Sequence, residues 1–254
     1  MVTRKRNINF IMIDGGVYEK KIALIAVLLG VALLTLTGCF TKSSRRFIEG
    51  KASELSKVYP TENLEDLFEK FPDGFQIRIT DISEDSEDSP SISYQLVLNG
   101  ISETKEIKGE ITKESSFENS DGKIEEEILY QGHVYYKDGS LHLSEGNSSK
   151  NKEKGDLKHS RLLMQDFLIS RSSLKSLEVV RKGYSSETGS ASITYKLKNE
   201  QVNTYLGLEN DAQINMGINI FEPTISGKSY GYSIIFRNDN LYHAEGIVGK
   251  LEKD

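Results

Sequence analysis

The chain holds a single thiol, that of Cys39, and it stands directly after Leu36-Thr37-Gly38. A thiolate is a good nucleophile. Two small residues ahead of it at the end of an apolar run give the setting of a thiol that takes up a diacylglyceryl group and then becomes the new N-terminus. Leu36, Thr37 and Gly38 are, on that reading, what a signal peptidase recognises. No other set of residues has a spacing that specifies a reaction. His133, His142, His159 and His243 show neither His-x-His nor His-x-x-x-His spacing. With Cys39 acylated, a zinc site would have to be built from histidine and carboxylate alone. His142 and His243 occupy similar places near the ends of the two halves of the chain and would face each other if the halves paired; exposed strand-end histidines are the plainer reading. No Gly-x-Ser-x-Gly turn presents a serine, and Ser185 and Ser186, within Gly183–Gly189, have no histidine close in sequence. Glu125, Glu126 and Glu127 put two carboxylates on one strand face and one on the other, which suits an edge strand blunted by charge. The sequence assigns no catalytic residue, no metal ligand and no cofactor.

What positions Cys39 is the segment before it. Lys20 and Lys21 precede fifteen residues, Ile22 to Leu36, with no charge among them. A helix spanning the roughly 30 Å hydrocarbon core of a bilayer needs about 20 apolar residues, so this run is short for a span and suits a cleaved export signal. The expectation is a signal peptide over 1–38, removed on export, and a lipidated tether over 39–51. The product sits on the extracellular face of the cell membrane, its partner there being the lipid bilayer that takes up the acyl chains. The residues ahead of Lys20 are long for such a signal, and Met1, Met12 and the Val17 position are alternative starts.

Of 254 residues, 38 precede Cys39, leaving 216. Five of the 32 basic and two of the 38 acidic residues lie in the removed part, so 27 basic face 36 acidic residues and the mature net charge is about −9. That balance excludes nucleic acid as the partner, since its binding draws on clustered Lys and Arg. No thiol remains for a disulfide, and a chain of this size can bury enough apolar surface to fold without one.

The segment from Phe40 to about Lys51 is poor in apolar residues, and Arg45 and Arg46 within it are placed to touch anionic headgroups. Leu64, Leu67, Phe68 and Phe71 then mark one helical face between Pro60 and Pro72. Beyond Asp73-Gly74 the period changes to alternation. Phe75, Ile77 and Ile79 share a face, followed after an acidic loop (Glu84, Asp85, Glu87, Asp88) by Ile92, Tyr94, Leu96 and Leu98. The loop lacks the oxygen spacing and central glycine of a calcium site. Further strands are expected over 106–113, 123–130 and 133–136, the last joined to 141–143 by Asp138-Gly139, a hairpin signal. Asn147 to Asp156 contains no apolar residue and reads as a linker. After it come a helical stripe (Leu162, Leu163, Phe167, Leu168) and strands over 177–180, 192–197, 214–221 and 232–236. The fold class is α+β, mainly antiparallel sheet with flanking helices near 52–71 and 157–170. Two halves, 52–146 and 157–254, flank the linker. Ser91 to Leu96 matches Ser192 to Leu197, and Leu141 with Glu145-Gly146 matches Leu241 with Glu245-Gly246 at nearly the same offset. This points to a duplicated unit, with the common look of alternating strands as the alternative. Twelve tyrosines stand against no tryptophan; they suit the sheet and its core before a binding face.

Tyr59-Pro60, Glu62-Asn63-Leu64-Glu65-Asp66-Leu67 and Glu69-Lys70 after a lipobox resemble the opening of the tandem-type lipoproteins of Gram-positive bacteria. Tyr195-Lys196-Leu197-Lys198-Asn199 before Tyr205-Leu206 is similar to that family's later part. So is Gly227-Lys228-Ser229-Tyr230-Gly231-Tyr232, leading into Ile234 and Phe236. Asp73-Gly74-Phe75 stands where the family carries Gly-Thr-Trp, and Glu209-Asn210-Asp211 where it carries two prolines, which marks a divergent member or a neighbouring family. The resemblance implies a surface-exposed lipoprotein without catalytic residues or cofactor, with host contact among its roles. The leading expectation is thus an anchored surface protein that binds an unidentified protein partner. A solute-binding or envelope-assembly lipoprotein with a ligand cavity is the alternative, and a hydrolase the third class. A flat tyrosine-rich face, a closed apolar pocket, and a convergent His and carboxylate cluster are their respective marks.

Overall fold

Alternation of apolar and polar residues builds most of this chain. The computed structural model describes residues 42–84, 89–118, 121–144, 161–221 and 229–250. In it the strands β1 (Phe75–Ser83), β2 (Ser91–Ile101), β3 (Glu106–Glu118), β4 (Ile124–Lys137), β5 (Ser140–Leu143), β6 (Glu178–Tyr184), β7 (Ala191–Leu197), β8 (Ile214–Phe221), β9 (Ser229–Arg237) and β10 (Leu241–Lys250) form one antiparallel sheet. Their order is β5-β4-β3-β2-β1-β10-β9-β8-β7-β6. From Ser43 onward the chain is one compact unit. It is an α+β fold in which the sheet dominates.

Register decides which residues share a face. Ile111, Leu96, Ile79, Glu245, Ile234, Ile218 and Ile193 stand opposite one another in a single row across seven strands. All seven are essentially fully buried. The row below contains Tyr94, Asp81, His243, Phe236, Met216 and Tyr195. This face carries the core. The other face, with Gln95, Asn99, Lys108, Glu110, Thr112 and His133, lines an open groove.

The helical elements cover the core face. They are α1 (Arg45–Ala52), α2 (Leu67–Lys70), α3 (Leu163–Asp166), α4 (Arg171–Lys175) and α5 (Glu200–Tyr205), with 3₁₀ turns at Ser53–Lys57 and Leu64–Asp66. Ile48, Leu55, Leu64, Leu67, Leu163, Met164, Leu174 and Val202 from these elements join one core cluster with the strands. Three of these helices, α1, α4 and α5, are capped locally by a side chain. Ser44 Oγ accepts from the Phe47 N–H, Ser170 Oγ from Ser173 and Asn199 Oδ1 from Val202.

Several expectations change here. Residues 45–51, read as part of a tether, form most of α1, whose Ile48 and Ala52 are completely buried. Two apolar residues on one side of an arginine-flanked helix were too few to stand out in the sequence. Leu64, Leu67, Phe68 and Phe71 are all buried, but only Leu67–Lys70 is α-helical. Of the helix expected over 157–170 only Leu163–Asp166 is helical among the described residues, a second short helix, Arg171–Lys175, following just beyond it; residues 157–160 lie outside the described residues, as do the linker 147–156 and most of the acidic loop. The strands read at 123–130 and 133–136 are one strand, β4, whose extra residue is absorbed by a bulge opposite Lys113 and Glu114. Its hairpin to β5 turns at Asp138 (φ 51°) and Gly139 (φ 78°), both left-handed, as the Asp-Gly signal required.

The two halves share one sheet. Both meanders, β1 to β5 and β6 to β10, step across it in the same direction, yet β1 and β6 run oppositely because five antiparallel pairings, with four strands between, separate them. Both bury the same face. Viewed from the core, the two meanders therefore have opposite hands, and no rotation superposes one on the other. Tyr94 with Tyr195 and Leu96 with Leu197 correspond as buried-face positions on single strands.

Candidate functional site

Leu36, Thr37, Gly38 and Cys39 lie outside the described residues, which begin at Lys42. Among the described residues no helix is long and apolar enough to cross a membrane. The histidines separate. His133 is exposed, 3.4 Å from Glu110 on the open face. His142 is exposed and stacks on Tyr135 with ring centroids 5.2 Å apart, while His159 lies outside the described residues. His243 is completely buried. Of the two read as exposed strand-end histidines, His142 is exposed and His243 is not, and the alternative that they face each other does not hold either, since β5 is an edge strand and β10 is central. Glu125, Glu126 and Glu127 are exposed on the part of β4 beyond its pairing with β5, which runs from Val134 to Lys137. Tyr59, Tyr94, Tyr136, Tyr195 and Tyr232 are in the core and Tyr130, Tyr184 and Tyr205 pack against it, so most of the described tyrosines face inward.

The central strands bring together a cluster that the sequence did not announce. His243 Nδ1 lies 2.5 Å from Asp81 Oδ1, its directly opposite neighbour on β1. Two residues along, Glu245 accepts 2.8 Å bonds from the Tyr59 hydroxyl and the Leu163 N–H and a 2.9 Å bond from the Met164 N–H. The carboxylate thus sits at the first N–H groups of α3, which a helix leaves unsatisfied and which favour negative charge. Burial pushes Glu245 up to about 7, against the lowering effect of those three donors, and Asp81 adds to the rise. Burial and the charge of Glu245 likewise raise the Tyr59 and Tyr205 hydroxyls. Rings close the cluster, Tyr205 edge-on to His243 at 5.5 Å and Phe236 at 6.1 Å. These are the residue types of acid–base chemistry. A general acid or base must come within about 3 Å of a substrate proton, and here Asp81 is 4% exposed and His243 and Glu245 are 0%. The geometry fits an internal clamp that fastens α3 and Tyr59 to the middle of the sheet. In sequence the only trace was ionisable residues at positions 243 and 245, on the same alternation as Ile247.

A second cluster is open to solvent. Arg45 is fully engaged, its Nε 2.7 Å from Glu49 Oε1 and its Nη2 donating to Lys175 O and Leu177 O at 2.9 and 3.0 Å, where it caps α4. Glu49 also accepts from Tyr195 at 3.4 Å, tying α1 to β7. Beside this tie lies an open cleft of about 870 Å³ lined by Arg45, Arg46, Glu49, Arg171, Ser172 and Lys175. Arg46, Arg171 and Lys175 are exposed, and among the described residues their side chains make no hydrogen bond or ion pair. Lys182 donates to Ser43 O at 2.7 Å and fixes the start of the body against β6. No group of three or more His, Cys, Asp or Glu among the described residues is arranged to hold a metal ion.

No protein-family model matches the chain, and no curated protein matches it. Among solved structures, the dehydratase domain of RzxB from Pseudomonas fluorescens is similar at 12% identity over 70% of this chain and 75% of that one. The TM-score is 0.17, too low to support any argument about fold or activity.

Proposed function

We propose that this is a lipid-anchored protein of the outer membrane leaflet, a divergent relative of the tandem-type lipoproteins, that acts by binding a protein partner. The supporting sequence is Lys20 to Cys39, a charged flank, a short apolar core and small residues before the sole thiol. One observation supports the reading furthest: the compact unit that carries the sheet starts at Ser43, four residues past Cys39, and its described core is built from Ile48 onward. Two acyl chains hold such a body stably, where one would be marginal. The alternative with a ligand cavity asks for a closed apolar pocket, and the cationic cleft and the groove over β2 and β3 are both open. A hydrolase asks for an accessible acid–base cluster, and that of Asp81, His243 and Glu245 among the described residues is enclosed.

Metabolic labelling with a fatty acid tests the anchor. Wild type takes up label and Cys39→Ser takes up none, while export of the variant continues. Label that persists undiminished in Cys39→Ser overturns the reading, and a wild type without label points to an uncleaved N-terminal anchor.

A further inference from the structure

Cations on this chain are outnumbered, 32 against 38 acidic residues, and several of the described ones are spent on neighbouring acids. Lys108 bonds Glu106, Lys196 bonds Glu178 and Arg161 bonds Asp166. Arg46, Arg171 and Lys175 differ. They come from two helices, α1 and α4, that Arg45 locks together by bridging Glu49 to the carbonyls of Lys175 and Leu177. Their spacing is thus held by a half-buried tie, with Glu49 6% exposed and the Arg45 side chain 40% exposed. The cleft they line also sits at one particular end of the molecule. Arg46 is seven residues beyond Cys39, and a chain extends by at most about 3.5 Å per residue, so the anchor holds this end within roughly 25 Å of the membrane surface.

We infer that the Arg46, Arg171 and Lys175 cleft seats the anionic phosphodiester headgroups of the leaflet that holds the acylated Cys39, and so sets which way the body faces. This rests on the lipid-anchor reading. A tether alone leaves an acidic body free to tumble above the membrane. Three cations near an anionic surface bias its orientation by roughly a hundredfold, while the mature excess of acidic residues is repelled and turns outward. The far edge of the sheet, β5 with its Asp138-Gly139 turn, is then presented away from the lipid.

The test uses the acylated protein on vesicles of phosphatidylcholine with and without phosphatidylglycerol. Cys39 is blocked by its lipid, so a thiol introduced by Ser172→Cys or Ser140→Cys is the only one available for a fluorophore. A quencher attached to lipid headgroups is expected to quench the probe at 172 several-fold more than the probe at 140. That difference should require phosphatidylglycerol and vanish in high salt. Combining Arg46→Glu, Arg171→Glu and Lys175→Glu should abolish it while the protein still floats with the vesicles. The salt series on the unaltered cleft decides the matter if that variant fails to fold. Equal quenching at the two positions, or quenching indifferent to phosphatidylglycerol and salt, overturns the inference. A wild type that does not float with vesicles at all refutes the anchor itself, which is a separate result.

Discussion

Glu245 is the residue whose chemistry is most displaced by its surroundings. It stands in a row of buried aliphatic side chains, satisfied by one hydroxyl and two N–H groups, and burial carries it from an ordinary 4.5 to about 7. A carboxyl whose folded value is raised binds more protons folded than unfolded. Its contribution to stability is therefore fully present below about pH 4.5 and is lost as pH rises through about 7. The difference of roughly 2.5 pKa units corresponds to about 3 kcal/mol. Glu245→Gln should remove this dependence. Urea unfolding of wild type and variant is expected to show a stability gap that narrows by about that amount between pH 4.5 and pH 8, and a constant gap would mean that the carboxyl does not titrate in this window. An amide nitrogen accepts no hydrogen bond, so the variant also leaves at least one of the donors that Oε1 and Oε2 take up unmet, a cost of about 1–3 kcal/mol against the ionised wild type.

At the scale of elements, α1 separates a tether from a working part of the fold. Ile48 is completely buried and packs in the same cluster as Tyr195 and Ile218. Ile48→Ala should cost about 2–4 kcal/mol of unfolding free energy, against almost nothing if residues 45–52 were a mere spacer. Thermal or urea unfolding distinguishes the two. The helix shows what the sequence could convey. The strands were legible because Phe75, Ile77 and Ile79, or Ile214 to Phe221, repeat with the period of a pleat, and that period needs no knowledge of a partner. The Asp138-Gly139 turn was legible because few residues accept a left-handed backbone. α1 and α5 were not. Each is a turn or two long, its apolar residues number two or three, and the sheet, rather than its own pattern, makes it a helix. The Asp81 and His243 pairing was hidden for another reason: it depends on the register between strands 162 residues apart, which no local pattern encodes. The proposed lipid attachment at Cys39 lies outside the described residues and rests on the order of residues along the chain alone.

For the whole molecule, the continuous sheet predicts one cooperative unit. β1 pairs with β10 over nine residues from Phe75–Gly249 to Ser83–Leu241, and the rows of core residues cross that seam without a break. An engineered protease site within residues 147–156, once cut, should leave two fragments that co-elute in gel filtration and unfold in a single urea transition. Fragments that separate, or two transitions, would mean that the seam is weak. The seam also joins the first strand to the last. Ile77 meets Ile247, 170 residues later. In a chain delivered N-terminus first, from a ribosome or through an export channel, β1 waits with a bare edge while nine further strands arrive, and the middle of the sheet cannot close until Leu241–Lys250 has emerged. Closing so long a loop is slow rather than costly at equilibrium. The ten residues Leu241–Lys250 thus act as the latch of the fold, and the rest of the chain stays threadable until the latch comes through.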